Sequence, residues 1–245
     1  MKKAIAVLSL CGSLLPAVAL ADEVDDITDK LLKDVPLKCL DEALTISNKH
    51  MRSILPDLML DGAREAAKLG PAWGPGNENY RQARDLLEMA LQDDEASNGP
   101  LIDAGLLPLM RSMVNSWTPA QREAFPAFLK QKGGRLYWEV IMDGGMCEGM
   151  IKSTAKPPYP LQPGAEKNRL DALARDISFR KMSVDLEFNL LPKDQAAKAK
   201  KVGPELTESF KQAFTTKTQA YVPRAKQVFQ SVVPEMKKIV ASYKP

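Results

Sequence analysis

Carboxylates, thioethers and a thiol gather in one short stretch of this 245-residue chain. Glu139 and Asp143 stand four residues apart, which on a helix puts both on one face, as a general acid/base pair or a cation site would need. Met142, Met146 and Met150 repeat that spacing beside Cys147, and soft thioether and thiolate donors suit Cu(I). Each pattern also has an ordinary structural reading, surface carboxylates in one case and a methionine core stripe in the other. Gly144-Gly145 lies in the same stretch and costs a helix about 2 kcal/mol relative to alanine. Either the helix breaks at Gly144 or something packs closely on that backbone.

Other reaction chemistry is sparse. The single histidine, His50, has no second imidazole with which to share a metal or complete a relay, so HExxH and other multi-histidine sites are excluded. No GxSxG elbow, GxxxxGK[ST] loop or GxGxxG fingerprint occurs. Ser153-x-x-Lys156 has the spacing of a Ser–Lys nucleophile pair, but Pro157-Pro158 denies Lys156 a helical conformation. No cofactor is implied. Trp73, at the centre of the loop Gly70–Asn77, is either a partner-binding anchor or a plug over the core.

Composition, with 44% hydrophobic and 27% charged residues, reads as a globular protein and excludes a collagen-like chain or a strongly basic nucleic-acid binder. Charge is uneven. Residues 22–100 carry 9 basic and 17 acidic side chains, whereas residues 161–245 carry 16 and 9. Lys193, Lys198, Lys200, Lys201, Lys211 and Lys217 could form a basic face for an anionic partner, or could be solvated helix faces.

Met1-Lys2-Lys3, the apolar run from Ala4 to Val18 and Ala19-Leu20-Ala21 before Asp22 have the form of a cleaved signal peptide, residues 1–21. A membrane anchor and a lipoprotein at Cys11 are the competing readings. A compact Sec-type signal makes the periplasm the expected compartment, with release into the medium as the lesser option. No later stretch is long and apolar enough to span a bilayer. Cleavage removes Cys11 and leaves Cys39 and Cys147, which an oxidising compartment would join. The chain-entropy model gives closure of that loop about 4–5 kcal/mol.

Helix punctuation recurs along the chain and hairpin dipeptides are absent, so the expected fold is mostly α, a bundle of about ten helices. Candidate helices include 37–55, 58–69, 193–201, 205–222 and 224–243. Thr118-Pro119-Ala120-Gln121 has an N-cap threonine, a proline at the first helical position and a glutamine closing a capping box. Residues 153–164 hold four prolines and read as a semi-rigid linker between an N-terminal helical domain, 22–152, and a C-terminal helical part, 165–245. One passage alternates apolar and polar residues: Met182, Val184, Leu186, Phe188 and Leu190. Leu136, Trp138 and Val140 do the same, so a minor two-stranded element over 136–142 and 182–190 competes with helix.

At 118–135, Thr118-Pro119, Phe128 and Gly134-Arg135 resemble the pattern of a family of small helical domains of exported bacterial proteins, catalogued as a domain of unknown function (DUF2059). The Phe-Tyr and Ser-Pro dipeptides usual there are replaced by Phe128-Leu129 and Gln131-Lys132. The resemblance implies helices and export, and carries no chemistry. These observations together point to an exported periplasmic protein that binds another envelope or exported protein as an escort, adaptor or inhibitor. A carboxylate-dependent envelope hydrolase using Glu139 and Asp143 is the enzymatic alternative, and a Met/Cys soft-metal binder the other.

Overall fold

The computed structural model describes residues 15–102 and 105–244. Residues 1–14 of the expected signal segment, Cys11 among them, lie outside the described residues. Among the described residues the chain is 83% helical, with eight helices and no strand. They are α1 (Leu15–Asp34), α2 (Lys38–Ala67), α3 (Glu78–Asn98), α4 (Leu106–Ser116), α5 (Pro119–Leu129), α6, α7 (Ala165–Asn189) and α8 (Lys193–Ser242). Helix α6 runs from Lys132–Tyr137 through a π-helical stretch, Trp138–Gly145, into Met146–Thr154.

The mostly α expectation holds, but the count falls below ten because proline-interrupted runs merge. Helix α2 continues through Pro56, and α8 through Pro204 and Pro223. A proline inside a helix costs about 3 kcal/mol. Side chains buried on both sides offset it, Leu44 and Leu60 around Pro56, Ala199 and Leu206 around Pro204.

The division of the chain also differs from the sequential one expected. One compact unit comprises the described residues up to Asp41 with Leu106–Glu148 and Arg175–Ala213. The other comprises Glu42–Gly105, Gly149–Ala174 and the chain from Phe214 onward. Residues 153–164 therefore lie inside the second unit rather than between two domains, because α2, α7 and α8 each supply residues to both units.

In the first unit α1 packs on α4 and α5. Thr118 and Gln121 form the expected capping box at the start of α5. Trp117 meets Phe125 edge-on at 5.0 Å, and its Nε1 donates to Ser209 Oγ at 2.7 Å. The two-stranded element expected over 136–142 and 182–190 is absent among the described residues; both segments are helical, and α7 runs antiparallel to α6 in a register that sets 139 opposite 180 and 132 opposite 187. Glu139 pairs with Arg180 at 2.8 Å and Lys132 with Glu187 at 3.5 Å, while Ile177 Cγ2 stands 3.5 Å from where a Gly144 Cβ would be.

In the second unit Leu60, Trp73, Tyr80, Leu87, Val232 and Met236 form one buried cluster. Asn77 caps α3 through its side-chain oxygen, and Arg224 closes the other end, donating to the Gly99 carbonyl at 2.6 Å and to Asp94 Oδ2 at 2.6 Å. Burial raises the Glu88 carboxyl but the Arg52 hydrogen bonds outweigh it, holding Glu88 below its ordinary range. The proline-rich stretch is tied down: Tyr159 OH donates to Asp61 Oδ2 at 2.8 Å, and the Leu161 N–H to the Thr154 carbonyl at 2.7 Å.

Gly134 has no room for a side chain. A Cβ there would fall far inside van der Waals contact with the Phe128 carbonyl, whereas one at Gly149 would meet nothing within 4 Å. Gly134→Ala should lower stability by about 1–3 kcal/mol by overpacking. Gly149→Ala should raise it by about 0.5–1 kcal/mol through helix propensity. Urea unfolding of both variants measures the contrast.

Candidate functional site

The chemistry-bearing stretch 139–150 is built on the π-helical part of α6, and this changes which residues share a face. On an α-helix Trp138 and Asp143, five apart, would point about 140° away from each other. A π-turn, closed by i→i+5 bonds, brings residues five apart into line. Trp138 Nε1 accordingly donates to the Val35 carbonyl at 3.1 Å, and Asp143 Oδ1 accepts the Leu40 N–H at 2.9 Å. Cys147 is bonded to Cys39, with their Cα atoms 5.8 Å apart. The glycine pair is thereby explained: the helix widens at Gly144 instead of breaking, with Ile177 and the Glu139 carbonyl packed against it.

Each member of the expected acid/base pair already has a structural partner. Glu139 is held by Arg180, and Asp143 caps the first turn of α2. Burial pushes the Asp143 carboxyl above its ordinary value; the N–H groups of Leu40 and Cys39 and the charge of Arg180 pull the other way and do not cancel it. A folded-state value above the unfolded one means that the contribution of Asp143 is fully present below the unfolded value. It is lost as pH rises through the folded one.

The soft-metal set is likewise altered. Cys147 is a disulfide sulfur and offers no thiolate, Met142 is fully buried, and Met146 and Met150 are half-buried, with Met150 falling among the residues of the second unit. Among the described residues no group of three or more His, Cys, Asp or Glu side chains could hold a metal ion.

Trp73 is a plug and not an exposed anchor. It is 1% exposed, with the rings of Tyr80 and Tyr243 edge-on at 5.8 and 5.2 Å. His50 is also structural: its Nε2 lies 2.9 Å from the Tyr159 carbonyl, an acceptor, so Nε2 carries the proton. Beside it is a cavity of about 490 Å³ lined by Ser53, Tyr159, Gln162 and Glu166. Burial first, then the hydrogen bond to Asp61, pushes the Tyr159 phenol up to about 12. Of the six lysines, Lys193, Lys198, Lys200, Lys201 and Lys211 are exposed along α8, while Lys217 is half-buried and belongs to the second unit.

What the spacing of reactive side chains did not pick out is an apolar surface. Phe179, Met182, Leu186 and Leu190 are 62–83% exposed. At about 100° per residue the first three fall within one stripe of α7 roughly 60° wide, and Leu190 follows in the turn that ends the helix. The opposite side of α7 carries Ile177, Val184 and Phe188, of which Val184 is buried and the other two half-buried. The signal was present as period-2 alternation. In a helix residues two apart lie about 200° from each other, so alternating apolar residues populate two opposite faces.

No family model, curated protein or solved structure matches this chain. The resemblance at 118–135 therefore rests on those residues alone.

The capping role of Asp143 is separable from a catalytic one. Asp143→Asn keeps an oxygen for the Leu40 N–H and removes the buried charge, so its thermal midpoint at neutral pH should equal or exceed that of the parent, with a flatter pH dependence above the unfolded carboxylate value. Asp143→Ala should lose about 1–2 kcal/mol, the scale of an N-cap. Thermal melts across acidic and neutral pH give both readings.

Proposed function

We propose that this chain is an exported envelope protein that holds another protein through the outer face of α7, acting as an escort, adaptor or inhibitor and not as a catalyst. The observation that carries this reading is the exposed stripe Phe179, Met182, Leu186 and Leu190. A helix apolar on both sides is ordinarily buried on both. Here one side packs in the fold and the other is open. Complete burial of a large apolar side chain is worth about 1.5–3 kcal/mol, so four exposed ones forgo several kcal/mol that a partner would recover. On α7 the stripe from Phe179 to Leu186 spans roughly 10 Å, extended by Leu190 in the turn that follows, a size suited to an apolar groove or an amphipathic helix on the partner.

The periplasm, inferred from the N-terminal pattern, is the compartment in which such a partner would be met. The exposed lysines of α8 offer a second, electrostatic contact, and salt separates the two: apolar burial survives high ionic strength and exposed charge pairing does not. The hydrolase and soft-metal readings lose support from the partners already held by Glu139, Asp143 and Cys147.

Affinity capture from an envelope extract in high salt, with the parent protein and with the double variant Phe179→Asp, Leu186→Asp, tests the reading. Both positions are exposed, so unchanged helicity and melting should accompany loss of a partner that the parent retains. Equal recovery of partners by both proteins would overturn it, as would a parent that recovers none.

A further inference from the structure

Within the first unit, α1, α5 and the start of α6 enclose a cavity of about 160 Å³. Its walls are apolar where Ile27, Leu31, Val35, Pro126 and Leu129 line it, and Leu31, Val35 and Leu129 are buried. Four cationic side chains, Lys30, Arg122, Lys130 and Arg135, line it against two carboxylates, Asp26 and Asp34. Lys30 and Asp26 neutralise each other at 2.6 Å.

Arg122 is the unusual member. Its side chain is 10% exposed; Nη1 donates to Glu23 Oε2 at 3.2 Å and Nη2 to the Asn115 carbonyl at 3.4 Å, while its Nε is buried and has no hydrogen-bond partner. A buried polar donor without a partner is costly, and more so on a charged group. Lys130 and Arg135 are exposed and are engaged by no carboxylate among the described residues. The cavity thus joins an apolar wall to a guanidinium paired with Glu23 that keeps one N–H unpartnered, and to two exposed cations that no carboxylate engages among the described residues.

We infer that this cavity binds a small aliphatic monocarboxylate, its carboxylate held by Arg122 with Lys130 or Arg135 and its hydrocarbon body against Leu31, Val35 and Leu129. Guanidinium groups favour a planar carboxylate, which accepts two parallel hydrogen bonds. Asp34 on the same wall repels a second negative charge, which favours one carboxylate over a phosphate dianion. The chemistry is shared by a free short-chain acid and by the C-terminal leucine, isoleucine or valine of a peptide.

Calorimetric and NMR titration of the purified protein with 4-methylpentanoate and with N-acetyl-leucine, beside their carboxamide analogues, tests the inference and separates the sources. Saturable binding of both acids, with neither amide bound, supports a free-acid site that also admits a peptide end; binding of N-acetyl-leucine alone assigns the peptide source. The double variant Lys130→Gln, Arg135→Gln, both exposed, should weaken binding by about tenfold with unchanged melting. Absence of saturable binding for either acid, amides that bind as well as acids, or an unchanged Kd in the double variant would each overturn it. None of these outcomes depends on the α7 stripe, so this inference and the protein-binding reading stand or fall separately.

Discussion

The junction between the first turn of α2 and the π-helical part of α6 organises the first unit. Three contacts meet there within ten residues of α6: Trp138 on the Val35 carbonyl, Asp143 on the Leu40 N–H, and Cys147 bonded to Cys39. An α-helix could not supply the first two from one side, because its turn is too short for residues five apart to align. The π-turn supplies the alignment, and Gly144 makes it possible by leaving Ile177 of α7 and the Glu139 carbonyl room to approach. One backbone irregularity therefore places a cap, an indole hydrogen bond and a covalent closure, and it also sets how closely α7 packs on α6.

That packing explains the composition of α7. Ile177, Val184 and Phe188 face inward, and the ion pairs Glu139–Arg180 and Lys132–Glu187 flank the same contact. Exposed ion pairs of this kind contribute at most about 1 kcal/mol each, so they orient the helix more than they stabilise it. The inner face alone satisfies the fold. Phe179, Met182, Leu186 and Leu190 are additional apolar surface that folding does not use, which is the physical basis for assigning them to a partner.

Local signals were legible in the sequence and non-local ones were not. The capping box at Thr118 and the pairing of Cys39 with Cys147 follow from residue types alone, and both are present. Pro56 and Pro204 read as boundaries because the buried contacts that carry the helix past them depend on distant residues. Glu139 and Asp143 read as an acid/base pair because their spacing does not show the partners that hold them, Arg180 and the Leu40 N–H, which come from elements distant in sequence. The alternation at 182–190 was a real pattern under the wrong period: it marks two helical faces, where a strand would have two sheet faces. The pattern at 118–135 gains a physical reason residue by residue, since Thr118 caps α5, Phe128 is core, and Gly134 must be glycine because the Phe128 carbonyl occupies the place of its side chain.

The distribution of satisfied and unsatisfied groups then separates structure from function. Asp57 accepts from Tyr80 and Arg84, Asp61 from Tyr159, Asp94 from Arg224, and Asp143 from Leu40. These acids hold helices and the proline-rich stretch in place, and proton transfer at any of them would weaken the contact that positions it. Reactive chemistry needs a group poised and free, and none of these carboxylates is free. The features folding leaves unused are of another kind, an apolar stripe on α7 and a cluster of cations, with one unpartnered N–H on Arg122, beside an apolar cavity. Both gain free energy by being covered, which is the property of a binding surface.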